Sequence, residues 1–250
     1  MLCVGATGSV GQLVVEEGRG QGYTVRALVR DRATAPKWAA DVEISEGDLT
    51  RSESFRGAVA GVDAVVFVHG TYGGDQGTAE SVDYGAVRNV LGLVGRHARI
   101  ALMTAIAVTD RRGVHDWKRR AERLVRASGL AYTIVRPGWF DENAPEQHRL
   151  VLLQGDRRQS GTPRDGVIDR RQLAEVLVHS LRAPHAVSKT FELVAERGDG
   201  PRDFDALFAT TDPDVDRALD GAHDAHNMPL DGEPPRIVED VERALRGRSQ

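Results

Sequence analysis

Three glycines near the start of the chain, Gly5, Gly8 and Gly11 in the stretch "GATGSVG", have the spacing of a loop that binds phosphate. The apolar run "MLCV" before them predicts a β-strand, and "GQLVVEEGRGQ" after them has the periodicity of a helix. Glycine tolerates positive φ and has no Cβ, so the backbone can lie against a pyrophosphate at the N-terminus of that helix. We therefore predict a dinucleotide site at this loop.

The end of the next predicted strand, in "YTVRALVRD", indicates which dinucleotide is bound. It carries Arg30, followed by Asp31 and Arg32. An acidic side chain here would accept a hydrogen bond from the ribose 2′-OH of NAD(H), whereas an arginine would pair with the 2′-phosphate of NADP(H). Because a guanidinium fork suits a phosphate, Arg30 favours NADP(H), with NAD(H) as the alternative that Asp31 would suit.

Short apolar runs that alternate with helical stretches must position these residues. Eight runs predict strands: "MLCVG", "TVRALV", "DVEIS", "DAVVFV", "RIALM", "AYTIV", "RLVLLQ" and "KTFELVA". Strands that are apolar on both faces are typical of a parallel sheet covered by helices. We predict an α/β protein with a Rossmann-like, doubly wound parallel sheet, forming a single NAD(P)-binding domain over residues 1–250. The Asp-, Pro- and Gly-rich chain from about Gly198 is expected to belong to a small C-terminal substrate lobe, to which roughly residues 141–250 contribute.

The composition excludes several other classes of function. The 33 Lys and Arg against 37 Asp and Glu give a net charge of −4, so no nucleic acid partner is expected. The one cysteine, Cys3, allows no intramolecular disulfide and is expected to be buried in the first strand. His223 and His226 in "HDAHN" are only weak evidence for a metal site, and no metal is expected. Without a run of roughly 20 apolar residues or a signal peptide, a cytoplasmic protein with no membrane partner is expected.

Six stretches occur in a recognisable order over roughly residues 1–194: "GATGSVG", "VRALVRD", "EGDL", "VDYGAVRNVL", "KRRAERLVRASGLAYTIVRPGWF" and "VIDRRQLAEVLVHSL". Together they resemble the atypical short-chain dehydrogenase/reductases, particularly their NAD(P)H-binding, NmrA-like group. The resemblance implies a Rossmann-like fold and a cofactor site. The matched cofactor-binding residues are Gly5, Thr7, Gly8, Ser9, Val10 and Gly11 for the pyrophosphate, Arg30 for the 2′-phosphate, Asp48 and Leu49 for the adenine, Val68, His69 and Gly70 along the adenosine ribose, and Pro137, Gly138 and Trp139 in the loop that closes over the nicotinamide.

The catalytic pattern of the resembled family is altered in this sequence. Tyrosine-dependent members carry Tyr-x-x-x-Lys on the helix after the fifth strand, with the lysine four residues before a glutamate. Lys118 precedes Glu122 by that spacing, which places Val114 at the tyrosine position. Thr104 and Ala105 stand where the family often has two serines. Thr104 could donate a hydrogen bond to a carbonyl, but Val114 cannot deliver a proton.

The expected catalytic set is therefore Thr104, His115 and Lys118. Lys118 would hold the cofactor ribose, and the imidazole of His115 has a pKa range suited to acid–base work. A solvated helix lysine and a surface histidine are the alternatives for these two residues. Tyr84 is expected to pack in the interior, whereas Tyr72, in the loop after the fourth strand, could fold over a substrate.

We expect NADP(H)-dependent reduction of a small conjugated or quinone-like molecule. Such acceptors can take the accompanying proton from water, whereas an isolated ketone benefits from a positioned acid. One alternative is a non-catalytic NADP(H)-responsive sensor, as NmrA-like proteins without the tyrosine can be. Another is an epimerase or isomerase that retains its cofactor. The expected partner is a small molecule, and the sequence is compatible with a homodimer.

Overall fold

The computed structural model describes residues 1–71 and 75–247. Its strands are β1 (Leu2–Val4), β2 (Arg26–Val29), β3 (Glu43–Glu46), β4 (Ala64–Phe67), β5 (Arg99–Met103), β6 (Ala131–Pro137), β7 (Trp139–Phe140), β8 (Arg149–Leu153), β9 (Val167–Ile168) and β10 (Lys189–Glu196). Its α-helices are α1 (Ser9–Gly20), α2 (Arg56–Val59), α3 (Gln76–Ala79), α4 (Gly85–Leu91), α5 (His115–Ser128), α6 (Arg170–Ser180), α7 (Phe204–Phe208) and α8 (Pro235–Gly247). A π-helical turn, Glu80–Tyr84, joins α3 to α4.

Eight strands form one sheet in the order β3-β2-β1-β4-β5-β6-β10-β8. Each of them overlaps one of the eight apolar runs in the sequence, which confirms the predicted doubly wound α/β fold. Neighbouring strands are parallel from β3 to β10, but β8 runs antiparallel to β10. The sheet is thus not wholly parallel: β8 lies at an edge and has one neighbour, a position where an antiparallel strand is common. Strands β7 and β9 form a second, small parallel sheet.

Helices cover both faces of the large sheet. On one face α1 and α6 pack against it, with Val14 and Leu177 in the interior. On the other face α5 and α8 contribute Leu124 and Ile237. Cys3 lies wholly buried in the first of these layers, as expected, and burial raises the pKa of its thiol to about 12. None of the helices in residues 1–71 and 75–247 is long and apolar enough to cross a membrane.

The strand order reverses at β1, which has β2 on one side and β4 on the other. Connections leave β1 and β4 in opposite directions, and a crevice opens at the carboxyl ends of such a pair. The two strand ends remain in register there, since the backbone N–H of Val68 donates to the carbonyl of Val4 at 2.9 Å. The glycine loop after β1 therefore lies directly beside the loop after β4.

A network of buried ion pairs joins α5 and β6 to the C-terminal part of the chain. Arg136 on β6 donates to Glu122 on α5 at 2.7 and 3.0 Å, and to Asp224 at 2.7 and 2.8 Å. Arg119 and Arg123, also on α5, pair with a carboxylate of the same C-terminal segment. Burial alone raises the pKa of the Asp224 carboxyl, but the bonds from Arg136 outweigh it and lower that pKa to about 2. The C-terminal segment is thereby held against α5.

We expect the variant Arg136→Met to lose about 3–5 kcal/mol of free energy of unfolding, because it leaves Glu122 and Asp224 buried without their shared counter-charge. Urea denaturation followed by circular dichroism measures this loss. Arg149→Met is the matched control, since Arg149 pairs with Glu196 on the exposed surface. Such a surface pair contributes about 0–1 kcal/mol, so equal losses in both variants would contradict the role of the buried network.

Candidate active site

A cleft of about 820 Å³ opens at the carboxyl ends of the parallel strands, where the order reverses. The structure brings most of the sequence-predicted site residues to its walls: Gly5, Thr7, Gly8, Ser9, Val10, Arg30, Asp48, Leu49, Val68, His69, Gly70, Thr104, His115, Lys118, Pro137 and Gly138. Gly11 is not in the wall and packs beneath the loop instead. Residues from six strand ends thus meet in one cavity.

The glycine loop is shaped by close contacts between backbone segments. Gly5 has φ of +93°, and a Cβ on it would lie 2.6 Å from the backbone nitrogen of His69. A Cβ on Gly11 would lie 2.1 Å from the carbonyl oxygen of Gly5. Gly8 is the N-cap of α1 and has no side chain to cap the first-turn N–H groups. Those groups are available to a phosphate, so the loop fits the pyrophosphate of a dinucleotide.

The three charged residues after β2, near the far end of the cleft, have different hydrogen-bond environments. Asp31 accepts a hydrogen bond from the backbone of Ala33 at 2.8 Å and caps a short 3-10 turn. Arg32 donates to the carbonyl of Ile44. Arg30 lines the cleft, and its guanidinium has no hydrogen bond or ion pair to any residue within the described ranges. The arrangement presents a free guanidinium where the sequence predicted the 2′-phosphate contact.

The π-helical turn, Glu80–Tyr84, positions two predicted site residues. Its Asp83 lies buried and accepts from the Lys118 ammonium at 3.2 Å and from the backbone and hydroxyl of Thr71 at 3.0 and 2.8 Å. The carbonyl of Val82 contacts Nε2 of His69 at 3.1 Å. Such turns insert an extra residue into a helix and are frequent at functional sites. Sequence reasoning missed Asp83, because the surrounding stretch "ESVDYGAVRN" contains several other polar residues and nothing in it marks this carboxylate.

His69 is neutral in the folded protein. Burial and the nearby Lys118 ammonium lower the pKa of its imidazole to about 4. With Nε2 directed at a carbonyl, the proton belongs on that atom, which leaves Nδ1 as an acceptor. This Nδ1 is buried, and no residue of the described ranges bonds to it. His69 therefore does not supply a proton near neutral pH.

Thr104 differs from its expected role as a donor to a carbonyl. Its hydroxyl donates to Oε1 of Glu122 at 2.7 Å. Burial disfavours the Glu122 carboxylate, but Arg136 and Arg126 outweigh this and lower its pKa, so the group remains an acceptor. The Thr104 proton is thereby engaged within the protein, because Glu122 belongs to a buried network that the sequence does not reveal.

The other candidate proton donors lie in different environments. His115 begins α5 directly after Val114 and lines the cleft, and no described residue bonds to its buried Nδ1. The Tyr84 hydroxyl donates to Asp240 on α8 at 2.9 Å, away from the cleft, which confirms that this tyrosine packs. Tyr72 lies outside the described residues. Lys118 and His115 are therefore the titratable donors that the structure brings to the cleft from the predicted catalytic set.

The loop after β5 is held by a residue that sequence reasoning missed. Ala107 adopts φ of +65°, which is unfavourable for a residue other than glycine. Its N–H donates to the buried Asp156 carboxylate at 2.6 Å, and Thr109 donates to the same group through its N–H and hydroxyl at 2.8 and 2.9 Å. Asp156 lies far along the chain from this loop, so no local pattern could have linked them.

The substrate end of the cleft contains further residues that were not predicted: Met103, Ile106, Ala107, Arg112, Phe140, Gly161 and Asp165. The last two belong to the stretch expected to contribute a substrate lobe, and no described residue beyond Asp165 lines the cleft. The chain from Gly198 instead packs on the outer helices, with α8 against α5 and α7 against α6. Its ion pairs hold this C-terminal part against α5, and the contribution of residues 141–250 to a substrate lobe stays a prediction.

The sheet, its reversal point and the glycine loop define a nucleotide-binding protein of the Rossmann type. A family model described as NAD(P)H-binding matches residues 5–184, and the chain belongs to this family. This agrees with the resemblance to the NmrA-like group of atypical short-chain dehydrogenase/reductases, and it makes the protein a member of an NAD(P)H-binding oxidoreductase family.

Similar proteins include reductases from different organisms. The chain is 25% identical to sanguinarine reductase of Eschscholzia californica, over 84% of this chain and 94% of that protein. It is 29% identical to an NAD(P)H azoreductase of Xenophilus azovorans, over 74% of this chain and 64% of that protein. A solved Rossmann-fold NAD(P)-binding family protein from Shigella flexneri has a TM-score of 0.62 at 19% identity, over 81% of this chain and 96% of that one. The last likeness concerns the fold alone.

We expect Gly11→Ala to raise the Kd for NADPH at least about tenfold, because its Cβ would push the loop carbonyl of Gly5 out of place. Fluorescence titration of NADPH measures this change, and the Tm shows whether the variant is folded. Gly20→Ala is the control, because Gly20 lies in the same helix and a Cβ there contacts nothing within 4 Å. Equal Kd values for a folded Gly11→Ala variant and the control would be inconsistent with this account of the loop.

Proposed function

We propose that the protein is an NADPH-dependent reductase of small conjugated or quinone-like molecules that acts in the cytoplasm without a catalytic tyrosine. The observation that carries the proposal is that one cleft joins Arg30, whose guanidinium has no partner among the described residues, at one end to His115 and Lys118 at the other. The names of the similar reductases support a reduction reaction. Val114 stands where a tyrosine would supply the proton, which limits the range of acceptors.

Different residues of the cleft would bind different groups of the cofactor. The loop from Gly5 to Gly11 would bind the pyrophosphate, Arg30 the 2′-phosphate, and Lys118 the ribose beside the nicotinamide. When bound, the cofactor supplies the hydride. Asp83 keeps the Lys118 ammonium in the cleft through their 3.2 Å contact, and Pro137 and Gly138 line the reacting end.

His115 and Lys118 are the proposed proton donors. Thr104 donates its proton to Glu122, His69 is neutral with its proton on Nε2, and Val114 has none to give. An imidazolium or ammonium at the cleft can donate to an oxygen or nitrogen that becomes negative as hydride arrives on the conjugated carbon. A quinone spreads this negative charge over an aromatic ring and two oxygens, so water can complete its protonation where the protein does not. The enolate formed from an enone is more basic and gains more from a positioned acid.

Arg30→Asp tests the choice of cofactor. The substitution removes a charge-assisted contact to the 2′-phosphate and adds repulsion, so we expect the Kd for NADPH to rise about 10- to 100-fold. The Kd for NADH should stay within about threefold, since NADH has no 2′-phosphate. Arg32→Asp is the control, because Arg32 bonds to a backbone carbonyl instead of lining the cleft. An unchanged preference for NADPH in Arg30→Asp would refute the assignment.

His115→Ala tests the proton donor. With a conjugated enone as acceptor, loss of the general acid should lower kcat about 100-fold, whereas kcat for a quinone should change little. NADPH oxidation followed at several pH values measures both, with the exposed His97→Ala as the control. Full enone activity in His115→Ala would remove that residue from the mechanism.

Assays with a panel of quinones, enones and ketones separate the reductase from the two alternative functions. NADPH that binds but is not oxidised by any quinone, enone or ketone would favour an NADP(H)-responsive sensor. Turnover of a substrate without net consumption of NADPH would favour an epimerase or isomerase.

A further inference from the structure

We propose that Trp139 is the stacking surface for a fused aromatic substrate, so that the cleft selects flat polycyclic acceptors over small aliphatic ones. This inference rests on the proposed reductase function and assigns its substrate class. Trp139 lines the substrate end of the cleft, directly after Pro137 and Gly138.

Trp139 is one of three exposed large hydrophobic residues in the described chain. Its exposed fraction is 42%, and the other exposed large hydrophobic residues in residues 1–71 and 75–247 are Val187 and Val215. Neither valine lines the cleft. An indole left in water forgoes the stabilisation that its large apolar surface gains on burial. A ligand that covers the ring would recover that stabilisation, and the cleft places such a ligand within reach.

The backbone beneath Trp139 is held rigidly. The N–H of Trp139 donates to the carbonyl of Gly166 at 2.9 Å, within the pairing of β7 with β9. The N–H of Gly138 donates to Leu193 of the large sheet at 3.0 Å. A Cβ on Gly138 would lie 2.5 Å from the Gly166 carbonyl oxygen, so the two segments touch. A rigid aromatic residue loses little conformational entropy on binding, which favours its use in recognition.

The neighbouring wall of the cleft is apolar. Phe140 follows Trp139 in β7, and Met103 and Ile106 line the same cleft. The Arg170 guanidinium lies over the Phe140 ring, 4.8 Å from its centroid, which helps to hold the ring in place. Aromatic rings that stack gain attraction beyond that of their buried area. An aromatic acceptor would therefore bind this wall better than an aliphatic molecule of similar size.

Two charged groups at this end, Asp165 and Arg112, are engaged by the protein itself. Asp165 accepts from the backbone N–H groups of Ser160 and Gly161, each at 2.8 Å. Arg112 forms an ion pair with Asp110. A sugar would need free polar groups to replace the water on its hydroxyls. These pairings make a polyhydroxylated substrate a poor match and leave the apolar surface as the main source of affinity.

The test compares Trp139→Ala and Trp139→Phe with Val215→Ala, whose exposed side chain lies outside the cleft. The substrates are 1,4-naphthoquinone and the aliphatic enone 2-cyclohexen-1-one, with NADPH saturating. Loss of stacking should raise KM for the naphthoquinone about tenfold in Trp139→Ala, and Trp139→Phe should restore most of it. Val215→Ala should leave the KM for both substrates unchanged. Because Trp139 lies in the loop matched to the nicotinamide, a change in cofactor binding would affect both substrates alike, so the ratio of the naphthoquinone KM to the cyclohexenone KM is the measure of stacking and should rise about tenfold in Trp139→Ala alone.

A binding experiment keeps this inference separate from the proposed function. Calorimetric titration of 2-naphthol, which accepts no hydride, into the NADP⁺ complex should give a Kd about tenfold weaker for Trp139→Ala than for the wild type. Wild-type protein that reduces neither substrate but shows this difference would overturn the reductase proposal and support the aromatic site. Equal 2-naphthol Kd values would overturn the aromatic site. A lower oligomeric mass of Trp139→Ala with an unchanged Kd would assign Trp139 to a subunit contact and overturn it as well.

Discussion

The buried guanidinium of Arg136 is the point on which the reacting end of the molecule depends. It lies on β6, one residue before Pro137, and it bonds at the same time to Glu122 of α5 and to Asp224 of the C-terminal segment. Bringing these charges out of water is unfavourable, and only good geometry offsets it. Because the pairs form only when α5, β6 and the C-terminal segment are all in place, each element helps to position the others.

This constraint extends directly to the cleft. Glu122 accepts the proton of Thr104, and Lys118 lies one turn earlier on the same helix. The position of the lysine is therefore tied to the ion pair as well as to Asp83, which the π-helical turn presents from the other side. The Thr104 hydroxyl, which could have served as a donor, is committed to this network, so the proposed proton donors are His115 and Lys118.

The two ends of the cleft were predictable to different degrees. At the cofactor end, the strand, the glycine loop and the following helix are neighbours in sequence, so local periodicity and glycine spacing were enough to locate the site. Arg30 could be placed beside the loop for the same reason, because the end of β2 adjoins that loop in any doubly wound sheet, and its contact with a 2′-phosphate stays a prediction. At the substrate end, Asp156 supports Ala107 from far along the chain, and Gly161 and Asp165 reach the cleft through a loop of no recognisable pattern.

The sequence by itself determined the order of strands and helices and the place of the dinucleotide loop, because these depend on residue type and on short-range spacing. Only the tertiary structure decided that Thr104 donates to Glu122, that Asp83 holds Lys118, that the segment after Gly198 packs on α5, and that Trp139 stays exposed at the cleft. The physical reason is that hydrogen bonds and ion pairs in the interior join residues distant in sequence. Several partners of suitable chemistry exist for each group, and packing selects among them.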